Sequence, residues 1–208
     1  DLLNNYGLKN RANAQLAERL IRAAAGDAGE RVNFDLTLNG ESDAFVARLN
    51  SAGTALIYST VLGGDDWDRG TAIAVNAANE AFVVGDCSSK DFTTTVGAFD
   101  RVKNGFSVES DVFIARLNDS GTAFVYSTFL GDSGTDWSAG IAVNAADEAF
   151  VTGNTGAFMG FPTTAGAYDT THNGGDICNN GDSPCFDAFV TRLNATGSAL
   201  VYSTLLGG

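Results

Sequence analysis

The sequence is poor in the groups from which most catalytic and nucleic-acid-binding sites are made. It holds one histidine, three cysteines, two prolines and only 12 lysines and arginines, and charged residues make up 18% of the whole. A Ser-His-Asp triad or a histidine-rich metal centre would rest entirely on His172, which lies in a Thr-His-Asn-Gly-Gly turn. With 25 aspartates and glutamates the formal net charge is −13. Such a surface repels phosphate backbones, so no nucleic-acid partner is expected. No apolar run approaches the roughly 18–20 residues of a membrane span. Neither a phosphate-binding Gly-x-x-x-x-Gly-Lys-Ser/Thr loop nor a dinucleotide fingerprint occurs. A signal-peptide pattern is also lacking and the first residue is Asp1, so the chain is expected to be a processed product or a segment of something longer.

What the sequence does contain is 25 glycines and 44% hydrophobic residues, which excludes a disordered chain. Many glycines with frequent Val, Thr, Phe and Tyr favour short strands joined by tight turns, an all-β fold. Self-similarity then organises the chain. DAFVARLNSAGTALIYSTVLGG starts at Asp43, DVFIARLNDSGTAFVYSTFLGD at Asp111 and DAFVTRLNATGSALVYSTLLGG at Asp187. A second block follows the first two copies, TAIAVNAANEAFVVGD from Thr71 and GIAVNAADEAFVTGN from Gly140. A third signature precedes each copy: Phe34-Asp35 with Asn39-Gly40, Phe99-Asp100 with Asn104-Gly105, and Tyr168-Asp169 with Asn173-Gly174.

Each unit reads as four antiparallel strands. Ala44, Val46 and Arg48 alternate with Phe45, Ala47 and Leu49, the period of two of a strand with unlike faces. Asn50-Ser51-Ala52-Gly53 supplies a turn, Leu56–Leu62 a returning strand, and Ile73–Val75 with Ala81–Val84 a second hairpin around Ala77-Ala78-Asn79. Taken in this frame the chain holds two complete four-stranded units and a partial third, with long connections between units, an arrangement that suits propeller-type blades. The final strand, Ala199–Leu206, then lacks a covering hairpin and is the expected contact surface. Residues 1–33 differ in kind. Leu8, Ala12, Leu16 and Leu20 fall on one line of an amphipathic helix that ends near Gly26.

The blocks DAFVxRLN, YSTxLGG, IAVNAAxEAFVTG and FPTTAGAYDT resemble the bacterial SBBP-type β-propeller repeat family over residues 34–208. The first copy departs from that pattern with Phe92-Thr93-Thr94 where the second has Phe161-Pro162-Thr163-Thr164. The resemblance implies propeller blades on a secreted or cell-surface bacterial protein, and it brings no catalytic residues. Two and a half blades leave open edges, so the expected outcomes are a fragment of a longer propeller, closure by self-association of subunits, strand exchange with protein partners in a filament, or a capped open sector.

Several residues qualify as site candidates. Asp65, Asp66 and Asp68 cluster in one acidic turn, and Asp132 and Asp136 occupy the equivalent one. Carboxylates in glycine-flexed loops suit Ca²⁺, although the spacing is not that of a dedicated calcium loop and Asp beside Gly is ordinary turn chemistry. Trp67 and Trp137 stand in the same turns. They are read either as sugar-stacking residues of a glycan-binding module or as packing between blades. Arg48, Arg116 and Arg192 are expected to pair with Asp43, Asp111 and Asp187 or with the acidic turns. Glu80 and Glu148, at matching hairpin positions, read as repeat features and not as a glycosidase pair. Cys178 and Cys185 bracket a polar loop that favours a disulfide and hence an oxidising compartment, the alternative being two reduced thiols. Cys87 is then left over, expected half-buried at a strand end.

Overall fold

The computed structural model describes residues 33–35, 43–105, 109–156, 160–173 and 186–207. The expected N-terminal helix and the Cys178–Cys185 pair lie outside the described residues. Among the described residues, eleven strands form three antiparallel sheets: β1 (Asn33–Asp35), β2 (Ala44–Leu49) and β3 (Leu56–Leu62) in the first; β4 (Asp68–Val75), β5 (Ala81–Cys87), β6 (Asp111–Leu117) and β7 (Phe124–Leu130) in the second; β8 (Asp136–Val143), β9 (Ala149–Thr155), β10 (Asp187–Leu193) and β11 (Leu200–Leu206) in the third. Among the described residues no helix is long and apolar enough to cross a membrane.

The turns explain the hairpins. Asn50 Oδ1 accepts the amides of Thr54 (2.8 Å) and Ala55 (3.2 Å), closing the β2–β3 turn, and Gly53 sits at a φ of 64°. Asn118 and Asn194 repeat this at the β6–β7 and β10–β11 turns. The other hairpin type turns on Asn76 and Asn144, whose side chains accept the amides of Glu80 and Glu148. It places Asn79 and Asp147 at φ of 65° and 61°, the left-handed region that Asn and Asp tolerate best after glycine.

Alternation builds two cores around the middle sheet. One face of β5 and β6, with Ala81, Val83, Phe113, Ala115 and Leu117, packs on Val46, Tyr58 and Leu62 of the first sheet. The other face, with Phe82, Val84, Val112 and Ile114, packs on Val151, Phe189, Leu193 and Leu205 of the third. Every residue of β5 and β6 is buried. Each large side chain removed from water in this way stabilises by about 1.5–3 kcal/mol.

The sheets are out of phase with the repeat. The expected unit joined β2 and β3 to β4 and β5, but Asp68 of β4 pairs with Cys87 of β5, and β5 pairs with β6 across the repeat boundary. The short acidic turn therefore leads from one sheet to the next, and the long segment from Ser88 to Ser110 joins neighbouring strands of one sheet. Among the described residues the first sheet has three strands, and the third has four. The long segment has a task that explains its length: it travels to the far edge of its own sheet and back. Thr95 N donates to Ser127 O and Ser127 N to Thr95 Oγ1, both at 3.0 Å, and Phe129 N donates to Asp100 O. The next connector repeats this on β11, where Thr164 N donates to Ser203 O and Leu205 N to Asp169 O. The final strand is thus edged by its own connector, and is not the bare margin that the sequence frame implied.

Candidate functional site

Neighbouring sheets are joined by a clasp that occurs twice. The β6–β7 turn sits against Tyr58, and an added Cβ on Gly121 would lie 2.2 Å from that ring. The β10–β11 turn sits in the same way against Tyr126, where a Cβ on Gly197 would lie 2.4 Å away. With φ of 67° and 68°, both positions call for glycine on backbone and steric grounds together. Arg48 Nη1 donates to Asp119 O (2.8 Å), and Arg116 Nη1 to Ala195 O (3.0 Å), the equivalent carbonyl.

The arginines find partners other than those expected. Arg116 bonds Glu80 Oε2 (2.5 Å) and Asp147 Oδ2 (2.6 Å), with its guanidinium 4.9 Å from the centre of the Phe82 ring. Arg192 pairs with Glu148 and lies over Phe150. Asp43, Asp111 and Asp187 open their strands at the opposite end from these arginines, which is why they do not meet. Register sets the choice: Phe82 faces Arg116 across the β5–β6 ladder, which brings Glu80, just ahead of β5, within reach. Glu80 and Glu148 thus serve the joints between strands. With Arg116 nearly buried between two carboxylates, removing both would leave its charge without a counterpart, a costly state in the interior.

The acidic turns divide into buried and exposed carboxylates. Asp68 Oδ2 accepts Gly64 N (2.8 Å) and Ser89 Oγ (2.7 Å), so it fastens its own turn. Asp136 does the same for Asp132 N (2.9 Å), and Asp132 Oδ1 accepts Gly134 N (2.6 Å). Asp111, Asp132 and Asp136 each keep one oxygen unpaired in the interior. Burial pushes the Asp136 carboxyl up to about 7, against the pull of its hydrogen bonds, and the Asp111 carboxyl up to about 8, with the nearby Asp136 charge adding to the effect. Asp65 and Asp66 are exposed. Asp65 N donates to Asp91 Oδ1 (2.8 Å), which holds Asp91 below the usual carboxylate range, while the hydrogen bond shared by the two carboxyls raises Asp65. Among the described residues no group of three His, Cys, Asp or Glu side chains is placed to hold a metal ion.

The two tryptophans differ. Trp67 lies beneath the Arg69 guanidinium, 5.5 Å from it, and Arg69 pairs with Asp86. Trp137 is 44% exposed and stacks on Phe186 with ring centres 4.9 Å apart. Neither indole is among the buried residues of the two cores. His172 places Nε2 3.3 Å from Thr155 O. Cys87 is fully buried at the end of β5, where burial raises its thiol well above the ordinary range and Sγ donates to Ser89 O (3.4 Å).

Sequence reasoning missed the connectors. Phe92 packs on Phe113 (4.7 Å between ring centres) and Phe161 on Phe189 (4.6 Å), each closing the end of a core. The signal was present in FTTTVGAFD and FPTTAGAYD, a block that recurs inside segments read as loops. No protein-family model matches the chain, and no curated protein matches it.

Proposed function

We propose that this chain is an extracellular structural protein of the propeller-repeat kind, secreted or held at a bacterial surface, which scaffolds, adheres or assembles through its sheet faces and strand edges. The observation that carries this reading is the use made of the recurring polar side chains. Arg116, Glu80 and Asp147 join one copy to the next, and Asp68 and Asp136 hold the turns that lead between sheets. Residues that recur for this reason serve the array and not a substrate. The strong negative charge suits a solvated outer surface, and the likeness to SBBP-type repeats supports blades and an extracellular setting. The test is the mass of the purified chain by light scattering over a range of concentrations. Association that grows with concentration is expected, and a strictly monomeric folded chain would overturn the reading.

A second reading, a carbohydrate- or calcium-binding module, is favoured by Trp137, whose half-open indole stacked on Phe186 offers a flat aromatic surface at the end of the second acidic turn. It expects Trp67→Ala with Trp137→Ala to abolish glycan-array binding at an unchanged melting temperature. Its calcium form fails if EDTA leaves the melting temperature of the wild type where it was.

A further inference from the structure

The two inner interfaces of this chain are copies of each other, and among the described residues its two outer faces have the composition of the two halves of a third. Phe82, Ile114, Tyr126 and Leu130 of the second sheet are buried against the third. Their equivalents on the outward face of the third sheet, Phe150, Val190, Tyr202 and Leu206, belong to neither core; Phe150 and Tyr202 meet edge-on and Arg192 of the same sheet lies over Phe150. The first three are half-buried and Leu206 is 46% exposed. At the other end, Phe113, Leu117 and Phe129 face the first sheet from the second. Their equivalents Phe45 and Leu49 are half-buried, and Val61 is 55% exposed.

These faces are complementary in kind. In both inner interfaces, the Tyr-bearing face of one sheet meets the Phe-bearing face of the next. The outward face of the third sheet is Tyr-bearing, and the outward face of the first sheet is Phe-bearing. The polar groups follow the same rule. Arg116 reaches past its own sheet to Asp147 and to Ala195 O, whereas Arg192 has only Glu148 among the described residues. The carbonyl equivalent to Ala195 O in the first copy is that of Ser51, which stands exposed beside Gly53. Phe99 N donates to Gly197 O (2.8 Å), and the residue equivalent to Phe99 in the last connector is Tyr168, 89% exposed.

We propose that the outward face of the third sheet binds the outward face of the first sheet of a second copy of this chain, head to tail. Tyr202 then lies against Gly53 of the second copy, and Arg192 bonds the Ser51 carbonyl. This rests on the assembly reading and specifies its contact as face against face, where edge pairing was the general expectation. Such an interface is heterologous, so each copy uses one face and offers the other. Two copies joined at both ends bring six sheets together, within the roughly four to eight over which a radial array of sheets closes. Because each chain is strongly acidic, association strengthens as salt screens the repulsion.

The contact is tested by complementation. Val61→Asp disables the head and Leu206→Asp the tail. Both positions are exposed in the single chain, so each variant is expected to melt as the wild type does when dilute. In sedimentation velocity at about 0.5 M salt, where general charge repulsion is screened, wild type associates. Each variant alone associates at least about tenfold more weakly, as expected when a charge is buried without a partner in an apolar contact. An equal mixture regains a two-chain species, because the intact tail of the Val61 variant meets the intact head of the Leu206 variant. Association unchanged in both variants would overturn this contact and leave the assembly reading standing on the strand edges. A monomeric wild type would overturn both. A Val61→Asp chain that melts earlier with no change in association would show that residues 1–32 cover the head, and would overturn the proposal.

Discussion

The β2–β3 and β6–β7 hairpins carry almost the same sequence and end in different surroundings. Leu-Ile-Tyr-Ser-Thr-Val-Leu forms β3 and Phe-Val-Tyr-Ser-Thr-Phe-Leu forms β7, yet every residue from Tyr126 to Leu130 is buried while only Tyr58 and Leu62 are buried in β3. Ile57 and Val125 are exposed in both, as is Val201 in the third copy, so those positions form the rim of every sheet. The contrast falls on the other positions. Phe129 is buried at 1% exposure and its counterpart Val61 lies 55% open. The outer edge of β7 is hydrogen-bonded by Thr95 and Asp100, and among the described residues no connector does this for β3. The sequence of a strand thus sets its conformation, and its neighbours set how much it contributes. In a repeat array the terminal copies keep surfaces that the inner copies bury.

The sharpest way to break this comparison is to truncate the two equivalent side chains. Phe129→Ala removes a ring that touches Phe92 and leaves a cavity in the first core; it is expected to cost about 3–5 kcal/mol in urea unfolding. Val61→Ala, measured with the chain dilute, is expected to change stability by less than about 0.5 kcal/mol. Equal losses at the two positions would mean that β3 is covered as β7 is.

A smaller effect separates the strand-opening aspartates. Asp111 is fully buried, with Oδ2 accepting Asn104 N and a carboxyl raised by burial to about 8, and Asp43 is half-buried and raised in the same direction for the same reason. The unfolded chain releases these protons near pH 4. Between about pH 4 and pH 8 the folded state therefore holds a proton at Asp111 that the unfolded state has lost, and stability falls as pH rises through that window. Asp111→Asn abolishes this fall, so its deficit against wild type shrinks from pH 5 to pH 8, by something on the order of 1 kcal/mol after allowance for local relaxation. Asp43→Asn is expected to leave a nearly unchanged pH profile, because that carboxyl keeps more of its solvation. Denaturant titrations at several pH values decide the matter; parallel profiles for wild type and Asp111→Asn would refute the buried-proton account.

How far the sequence could be read follows from the same contrast. The strands, the Asn-headed turns and the glycine at Gly53 were legible because each depends on residues close in the chain. Phase was not. A repeated pattern has no marked beginning, and whether the β4–β5 hairpin shares a sheet with β3 or with β6 depends on ladder hydrogen bonds between residues far apart, such as Cys87 with Asp111. Length misled as well, since the short turn at Gly63–Trp67 looked like a hairpin and the long stretch from Ser88 to Ser110 like a passage between units. Of the candidate site, the recurrence of Asp68 and Asp136 was readable as turn chemistry, and the structure shows which amides they hold. The partners of Arg116 were out of reach, because Asp147 belongs to the next sheet and meets the guanidinium only after the sheets have packed.

The smallest effect tests the connector itself. Thr95 holds the edge of β7 with three bonds: its amide donates to Ser127 O, its Oγ1 accepts from Ser127 N, and the same hydroxyl donates to Ser127 O. Thr95→Ala keeps the amide bond and removes the two made by the hydroxyl, a loss of about 1 kcal/mol. It is felt first as local opening, so exchange of the Ser127 amide proton is expected to quicken roughly fivefold while most of β6 exchanges as before. Ser59 occupies the matching position in β3 and has no connector residue on its amide among the described residues. Its exchange is expected to be fast in wild type and indifferent to Thr95→Ala. The difference between these two serines isolates the contribution of the edge, since both stand in the same Tyr-Ser-Thr context and pair inward with an alanine of the adjacent strand, Ala47 or Ala115. Slow exchange at Ser59 would show the first edge to be covered too, and would leave the exposure of Val61 to be explained without it.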